Sequence, residues 1–183
     1  MPLTIKIPPK DFYDEKSNKF LKVNKETTLV LEHSLVSISK WESKWHIPFL
    51  SDTPKTFEQS LDYVRCMTIS QNIDPIIYLC LTPDNYKEIN AYIEDPMTAT
   101  TVNDHGKGKK WSKEIITSEL IYYWMIANEV PMKCEKWHLN RLLMLIRVCS
   151  VKNQPEKKMT KGEIMRRNHS LNAARRKASG SRG

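Results

Sequence analysis

Apolar and polar side chains alternate along the first 31 residues, which is the period-2 pattern of half-buried β-strands. Residues 3–7 predict a first strand, because Pro8 stops the alternation directly behind them. Residues 12–23 predict a hairpin around a polar turn at 14–18, and residues 27–31 predict a further strand. We therefore expect a small antiparallel sheet at the N-terminus.

The hydrophobic period changes to that of α-helices from Ser34 onward. Ser34 is a candidate N-cap for a helix that carries Trp41 and Trp45 on one face, four residues apart. Thr56 begins a capping box, and Thr82 is followed by proline, the residue favoured at the first helical position. We expect the rest of the body to be a helical array.

Several predictions concern where the apolar residues of these helices lie. The apolar positions of the second helix are Phe57, Leu61, Val64 and Met67, and Ser112 is assigned as the cap of a helix that already includes Ile115. Residues 120–127 form the longest apolar run, which is too short to cross a bilayer and predicts a buried helix segment. Residues 133–149 predict a single helix that is buried nearly all round and lies at the centre of the core.

Charge divides the chain near residue 150. Residues 151–183 carry ten basic and two acidic side chains, an excess that equals the net charge of +8 of the whole chain. The preceding part of the chain is therefore neutral overall. Thr160 and Glu163 form another capping box, which predicts a last helix that runs to about Ala178 and has only a narrow apolar stripe.

These patterns together predict an α+β, mainly α fold, in which a small N-terminal antiparallel sheet precedes a helical bundle-like domain and a basic C-terminal helix. We expect one globular domain over residues 1–150, with strands in 1–31 and helices in 34–150. A basic helical extension over residues 151–183 follows it.

The sequence contains no pattern typical of an enzyme. No glycine precedes Gly106, which excludes a Walker loop or a dinucleotide-binding turn from the first hundred residues. The histidines form no metal-binding or hydrolase motif, and the four cysteines contain no CxxC pair. We expect no catalytic residue, no metal and no cofactor. His33 and His138 are assigned as structural hydrogen-bonding groups, and the cysteines as buried thiols.

Five segments of the chain stand out in order. They are LEHSLVSISKWESKW (31–45), DYVRCMT (62–68), INAYI (89–93), EIITSELIYYWMI (114–126) and KWHLNRLL (136–143). Together they resemble the tail assembly chaperones of long-tailed bacteriophages (siphoviruses). The five runs are spread in order over residues 31–143, which makes chance similarity a poor explanation.

The resemblance implies a protein that binds the long tape measure protein before the tail tube polymerises around it. A tape measure protein is a long helical chain with apolar stripes, which a small protein rich in aromatic residues can cover by helix-in-groove contacts. Many copies would be needed, so self-association is expected. The N-terminus lacks the pattern of a secretory signal, and we expect the protein in the cytoplasm of the host cell, with no membrane partner.

The candidate partner-binding residues follow from side-chain chemistry, since the resemblance assigns none. Trp41 and Trp45 are our first choice, because indole rings supply a large contact area at low entropic cost. Basic residues of the C-terminal extension are the second group. They are Arg166, Arg167, Arg175 and Arg176.

The basic extension has three interpretations, namely contact with nucleic acid, contact with an acidic protein surface, and a solvated terminus. We favour the last two, since the segment lacks the aromatic residues of a single-strand platform. Two alternative functions stay open. One is a nucleic-acid-associated phage protein that uses the extension together with the basic loop 107–110, and the other is a minor virion structural or connector protein.

Overall fold

The computed structural model describes residues 1–14, 19–23, 25–101, 115–153 and 161–180. The chain forms two compact units, Met1–Val151 and Lys152–Gly183. Unit 1 holds every strand and five α-helices of the described residues, and unit 2 holds the last α-helix. The fold class is α+β and mainly α, as the sequence predicts.

Four short strands occupy the N-terminal part of unit 1. They are β1 (Leu3–Ile7), β2 (Lys10–Asp14), β3 (Lys19–Val23) and β4 (Thr27–Leu31). β1 pairs antiparallel with β4, so that Leu3 lies opposite Leu31, and β2 pairs antiparallel with β3, so that Lys10 lies opposite Val23. The predicted antiparallel strands are confirmed, and they form two sheets of two strands each.

The sheet of β1 and β4 buries one face, as its alternating pattern predicts. The buried apolar residues of that face are Ile5, Ile7, Leu29 and Leu31. The backbone at the end of the second helix forms hydrogen bonds with β4 and with the residue that follows β4. The Glu32 N–H donates to the Met67 carbonyl (2.8 Å), and the Ile69 N–H donates to the Val30 carbonyl (2.9 Å). Strand and helix are thereby joined by backbone hydrogen bonds.

Six α-helices follow. They are α1 (Leu35–Trp45), α2 (Phe57–Met67), α3 (Pro83–Glu94), α4 (Ser118–Ala127), α5 (Leu139–Lys152) and α6 (Lys161–Ser179). Short 3₁₀ helices at Pro75–Cys80 and Met132–Lys136 connect them. The predicted caps of the first three helices are confirmed, because each side-chain oxygen accepts the backbone N–H three residues later. These caps are Ser34, Thr56 and Thr82.

The core of unit 1 is built around α1. Leu35, Ile38 and Trp41 of this helix are fully buried, at 0% exposure each. α1 packs against α2, α4 and the second 3₁₀ helix, and its buried residues belong to one cluster of buried apolar side chains. A helix buried along this stripe is stabilised mainly by tertiary packing.

One prediction about element positions is wrong. The helix predicted to include Ile115 begins three residues later, because Thr117 is its N-cap and accepts the Leu120 N–H. Ser112 lies outside the described residues. Phe57, one of the apolar positions named for the second helix, is the first residue of α2 and is 69% exposed.

The prediction of a single helix over residues 133–149 is also wrong. A 3₁₀ helix ends at Lys136, and α5 begins only at Leu139. α5 buries Leu139, Leu142 and Ile146, while the residues between them are half-buried or exposed. The helix therefore packs on one stripe and is not enclosed, because an apolar composition does not by itself supply neighbours on every side.

The cysteines are free thiols; Cys80 and Cys134 are buried, and Cys66 and Cys149 are half-buried. In unit 2, α6 has no buried residue, and the predicted cap Thr160 lies outside the described residues. Among the described residues, no helix combines the length and the apolar character needed to cross a membrane.

Candidate partner-binding surface

The two tryptophans of α1 lie in different environments. Trp41 is completely buried, and its Nε1 donates a hydrogen bond to the Gln59 carbonyl (2.9 Å). Trp45 is half-buried, and its Nε1 donates to Oδ2 of Asp62 (2.9 Å). Trp41 is thus a core residue that joins α1 to α2 and presents no surface to a partner. Trp45 stays a predicted contact residue, because part of its ring is accessible.

Asp62 holds the accessible tryptophan in place. Its carboxylate is buried and also accepts a hydrogen bond from Nζ of Lys44 (2.5 Å). Hydrogen bonds to an ionised group are shorter and stronger than neutral ones, so both α1 side chains are fixed against α2. The Trp45 ring therefore has a defined orientation.

α4 exposes an apolar face. It buries Ser118, Ile121 and Met125 on one side of the helix. We call the opposite side the outer face of α4. Its residues are Leu120, Tyr123, Trp124, Ile126 and Ala127.

The exposure of this outer face corrects the sequence prediction. Tyr123 is 63% exposed and Ile126 is 67% exposed, so the apolar run over 120–127 is not a buried segment. Glu119 is the only charged residue in α4. An exposed apolar surface of this kind is typical of an interaction site.

A buried carboxylate fixes α4 to α1. Glu42 is 7% exposed, and its Oε1 accepts the Phe49 N–H (2.7 Å) while its Oε2 accepts the Ser118 N–H (2.7 Å). Ser118 is the first residue of α4, where backbone N–H groups lack helical partners and negative charge is favoured. Glu42 therefore positions the helix that carries the outer face.

Sequence reasoning missed both features. The sequence contains a signal for the outer face, because the run 120–127 has no charged residue and therefore no polar side that would face water. Glu42 had none, because a glutamate in an amphipathic helix ordinarily faces solvent. Its role depends on two N–H groups that lie 7 and 76 residues away along the chain.

A side-chain hydrogen bond joins α4 to the second 3₁₀ helix, Met132–Lys136. The Tyr122 hydroxyl donates to Oε2 of Glu135 (2.9 Å). Burial, together with the hydrogen bond and charge of Glu135, raises the pKa of Tyr122 to about 12. This tyrosine stays protonated at neutral pH, and the second 3₁₀ helix is held beside α4 with its Met132 half exposed at 49%.

A buried polar cluster of unit 1 joins α2 and α3 to the residues that directly precede α1 and α5. Nδ1 of His33 lies 2.5 Å from the hydroxyl of Tyr63, and Nε2 of His138 lies 2.9 Å from the Tyr92 carbonyl. The two imidazole rings meet edge to face, with centroids 5.0 Å apart. The Leu139 N–H also donates to the His33 carbonyl (2.9 Å), which fixes the start of α5.

Burial keeps both histidines neutral. It lowers the pKa of His33 to about 3, with a further contribution from His138, and it also lowers the pKa of His138 itself. Burial raises the pKa of Tyr63, so its hydroxyl keeps its proton at neutral pH and forms a hydrogen bond with Nδ1 of neutral His33. An unfolded histidine titrates near pH 6.5, so below that pH the unfolded chain binds more protons. Stability therefore decreases as the pH falls from about 6.5 towards 3.

The four candidate arginines lie on α6 and are all exposed. With about 100° of rotation per residue, Arg166, Arg167, Arg175 and Arg176 lie at roughly 0°, 100°, 180° and 280° around the helix axis. They are therefore distributed around the helix and do not form one patch. The basic loop 107–110 lies outside the described residues.

A small cavity of about 150 Å³ lies beside Trp41, with Lys55 and Pro48 among its lining residues. Sites for small molecules typically measure roughly 300–1,000 Å³, so this cavity is below that range. Within the part of the chain that the structure describes, no three His, Cys, Asp or Glu residues are placed to hold a metal ion.

Comparisons with protein-family models, with curated proteins and with solved structures find no match to this chain.

Proposed function

We propose that this chain is a tail assembly chaperone of a long-tailed bacteriophage, which binds the tape measure protein in the host cytoplasm during tail assembly. The resemblance of five sequence segments to that family supports the proposal. The outer face of α4 is the observation that carries it, because this apolar surface belongs to one of those segments (114–126).

The chemistry of the outer face suits an apolar helical client. Two helices pack when side-chain ridges of one enter grooves of the other, and this requires a contact surface with few charges. Tyr123, Trp124 and Ile126 supply aromatic and aliphatic area, and tyrosine and tryptophan are enriched among residues that dominate binding energies. Since Glu119 is the only charge in α4, little desolvation of charged groups opposes the contact.

The anchoring of α4 also favours binding. Glu42 fixes the first residue of this helix through the Ser118 N–H, and the hydrogen bond from Tyr122 to Glu135 fixes its middle. A surface that is already ordered loses less conformational entropy when it binds than a mobile one does. Trp45, fixed by Asp62, is a second contact in this proposal. Because a tape measure protein is long, many copies would bind along it, and we propose that neighbouring copies also contact each other.

Coexpression with the tape measure protein of the same phage tests the proposal. The measured quantities are the soluble fraction of the tape measure protein and its copurification with the full-length chain. The double substitution Tyr123→Ser and Ile126→Ser should weaken binding by about 2 kcal/mol or more, which is roughly a 30-fold change in Kd. Circular dichroism and the thermal midpoint establish that the variant is folded.

A matched control removes equally exposed apolar side chains elsewhere in unit 1. Phe57 and Ile69 are 69% and 50% exposed, and the change of both to Ser should leave copurification unchanged. If the control variant loses the client while the α4 variant retains it, the outer face is not the binding site. If the wild-type chain neither binds nor solubilises the tape measure protein, the proposed function is wrong.

The connector alternative makes a different prediction. A structural virion component remains in the finished particle at a defined stoichiometry, whereas an assembly chaperone is released. Mass spectrometry of purified virions distinguishes the two, and a stoichiometric amount of this chain in the particles would support the connector.

A further inference from the structure

α6 has basic side chains on every side. Over residues 161–180 it carries six basic side chains and one acidic side chain, and every described residue is exposed. With about 100° per residue, the basic groups leave no gap wider than roughly 80° around the axis. The basic residues are Lys161, Arg166, Arg167, Arg175, Arg176 and Lys177.

This distribution argues against partners that meet a helix on one side. A membrane surface or an apolar groove requires a continuous apolar face. The apolar stripe of α6, which includes Ile164 and Leu171, has Arg167 and Arg175 at its edges and within it. An acidic protein surface would use only the basic residues that face it, so it does not account for the remaining ones.

We propose that α6 binds duplex DNA in the major groove, through phosphate contacts and without sequence preference. Phosphates flank this groove on both sides, so basic residues on opposite sides of one helix can be used together. The groove is about 12 Å wide, and an α-helix with its side chains measures roughly 10–12 Å across. The neutral remainder of the chain does not oppose this attraction.

Two features favour duplex DNA over other nucleic acids. The described residues of unit 2 contain no Phe, Tyr or Trp, so α6 lacks the stacking residues with which proteins hold single strands. A-form RNA has a deep and narrow major groove, which does not admit a helix with long side chains. The proposal is independent of the function assigned to unit 1.

Fluorescence anisotropy with the full-length chain and a labelled 20-base-pair DNA duplex tests the proposal. Four arginine contacts predict a slope of about −3.6 for log K against log salt, which is roughly a 100-fold loss of affinity between 50 and 200 mM salt. Changing Arg166, Arg167, Arg175 and Arg176 to Gln should reduce the affinity at 50 mM salt by about tenfold or more and flatten this slope.

A charge-matched control separates a site on α6 from general attraction. Changing four exposed lysines of unit 1 to Gln removes the same charge and should leave the affinity nearly unchanged. These lysines are Lys40, Lys87, Lys133 and Lys136. Equal losses in the two quadruple variants would overturn the proposal.

A second variant tests whether the helix itself is required. Ala173→Pro keeps every charge but interrupts the helix, since proline is incompatible with a helix interior. It should weaken DNA binding, whereas Ala173→Ser should not, and circular dichroism should show less helix in the proline variant than in the wild-type chain. Undiminished binding by the proline variant would overturn the groove contact.

Competition experiments decide among polyanions. Unlabelled duplex DNA should displace the probe more effectively than single-stranded DNA, duplex RNA, polyglutamate or vesicles of anionic lipid. Equal or better displacement by polyglutamate would assign α6 to acidic proteins, and equal displacement by vesicles would assign it to membranes. Equal or tighter binding of duplex RNA, or of single strands, would also overturn the proposal.

Discussion

Replacing Glu42 with Gln tests the structural basis of the candidate surface. The carboxylate accepts two backbone N–H bonds of 2.7 Å, from Phe49 and from Ser118, and is almost fully buried. Glutamine keeps one acceptor oxygen and places an NH₂ group where the second acceptor stood. One of the two N–H groups then faces another donor and loses its hydrogen bond.

The expected cost follows from these contacts. A hydrogen bond to a charged group contributes about 1.5–3 kcal/mol, and a buried donor without a partner costs about 1–3 kcal/mol. Because these two quantities overlap, we expect a total of about 2–4 kcal/mol. For a domain of this size that corresponds to a decrease of roughly 5–15 °C in Tm.

Urea and thermal unfolding of the full-length chain measure this change, with Glu88→Gln as the matched control. Glu88 is exposed on α3, and its replacement should change the stability very little. Hydrogen exchange should also show faster exchange at the Ser118 N–H in the Glu42 variant. If Glu42→Gln unfolds at the same urea concentration as Glu88→Gln, Glu42 does not anchor α4 and the reasoning is refuted.

Three further predictions follow from the structure. Lowering the pH from 7 to 5 should reduce the free energy of unfolding by about 2 kcal/mol through His33 alone. Urea titrations of the wild-type chain, of His33→Gln and of the control His169→Gln measure this reduction, and an unchanged pH dependence in His33→Gln would contradict the prediction. Asp62→Ala should lower the thermal midpoint and loosen the Trp45 ring, because the hydrogen bond from Trp45 Nε1 to the carboxylate is lost. Tryptophan fluorescence reports the environment of the ring, and an unchanged emission spectrum would refute this prediction. A chain that ends at residue 153 should keep its thermal midpoint within a few degrees, since α6 buries nothing; a large decrease or insoluble product would place unit 2 in the core.

Local chemistry was readable from the sequence. Ser34, Thr56 and Thr82 start helices because their side-chain oxygens and nearby backbone N–H groups are neighbours along the chain. The strands β1 and β4 have their predicted boundaries, since alternation and proline act over a few residues. The charge difference between residues 151–183 and the rest is a property of the sequence itself.

Exposure could not be read in the same way. The apolar run over 120–127 predicted a buried segment, yet Tyr123 and Ile126 face outward, because α4 has neighbours on one side only. Phe57 is an apolar position of the second helix and is nevertheless exposed. An apolar composition shows that a side chain can be buried, but only the arrangement of the other elements decides whether it is.

The candidate surface therefore depends on contacts between distant parts of the chain. Trp41 and Trp45 share a helix face in the sequence, but packing buries Trp41 entirely and leaves Trp45 half-buried. Glu42 acquires its role from the Ser118 N–H, 76 residues away. The sequence by itself determined the strands β1 and β4, the caps of the first three helices and the neutral and basic parts of the chain, because these depend on neighbouring residues. The tertiary structure alone decided which aromatic residues are accessible and which carboxylate holds the exposed helix, because packing brings together groups whose distance along the chain says nothing about their contact.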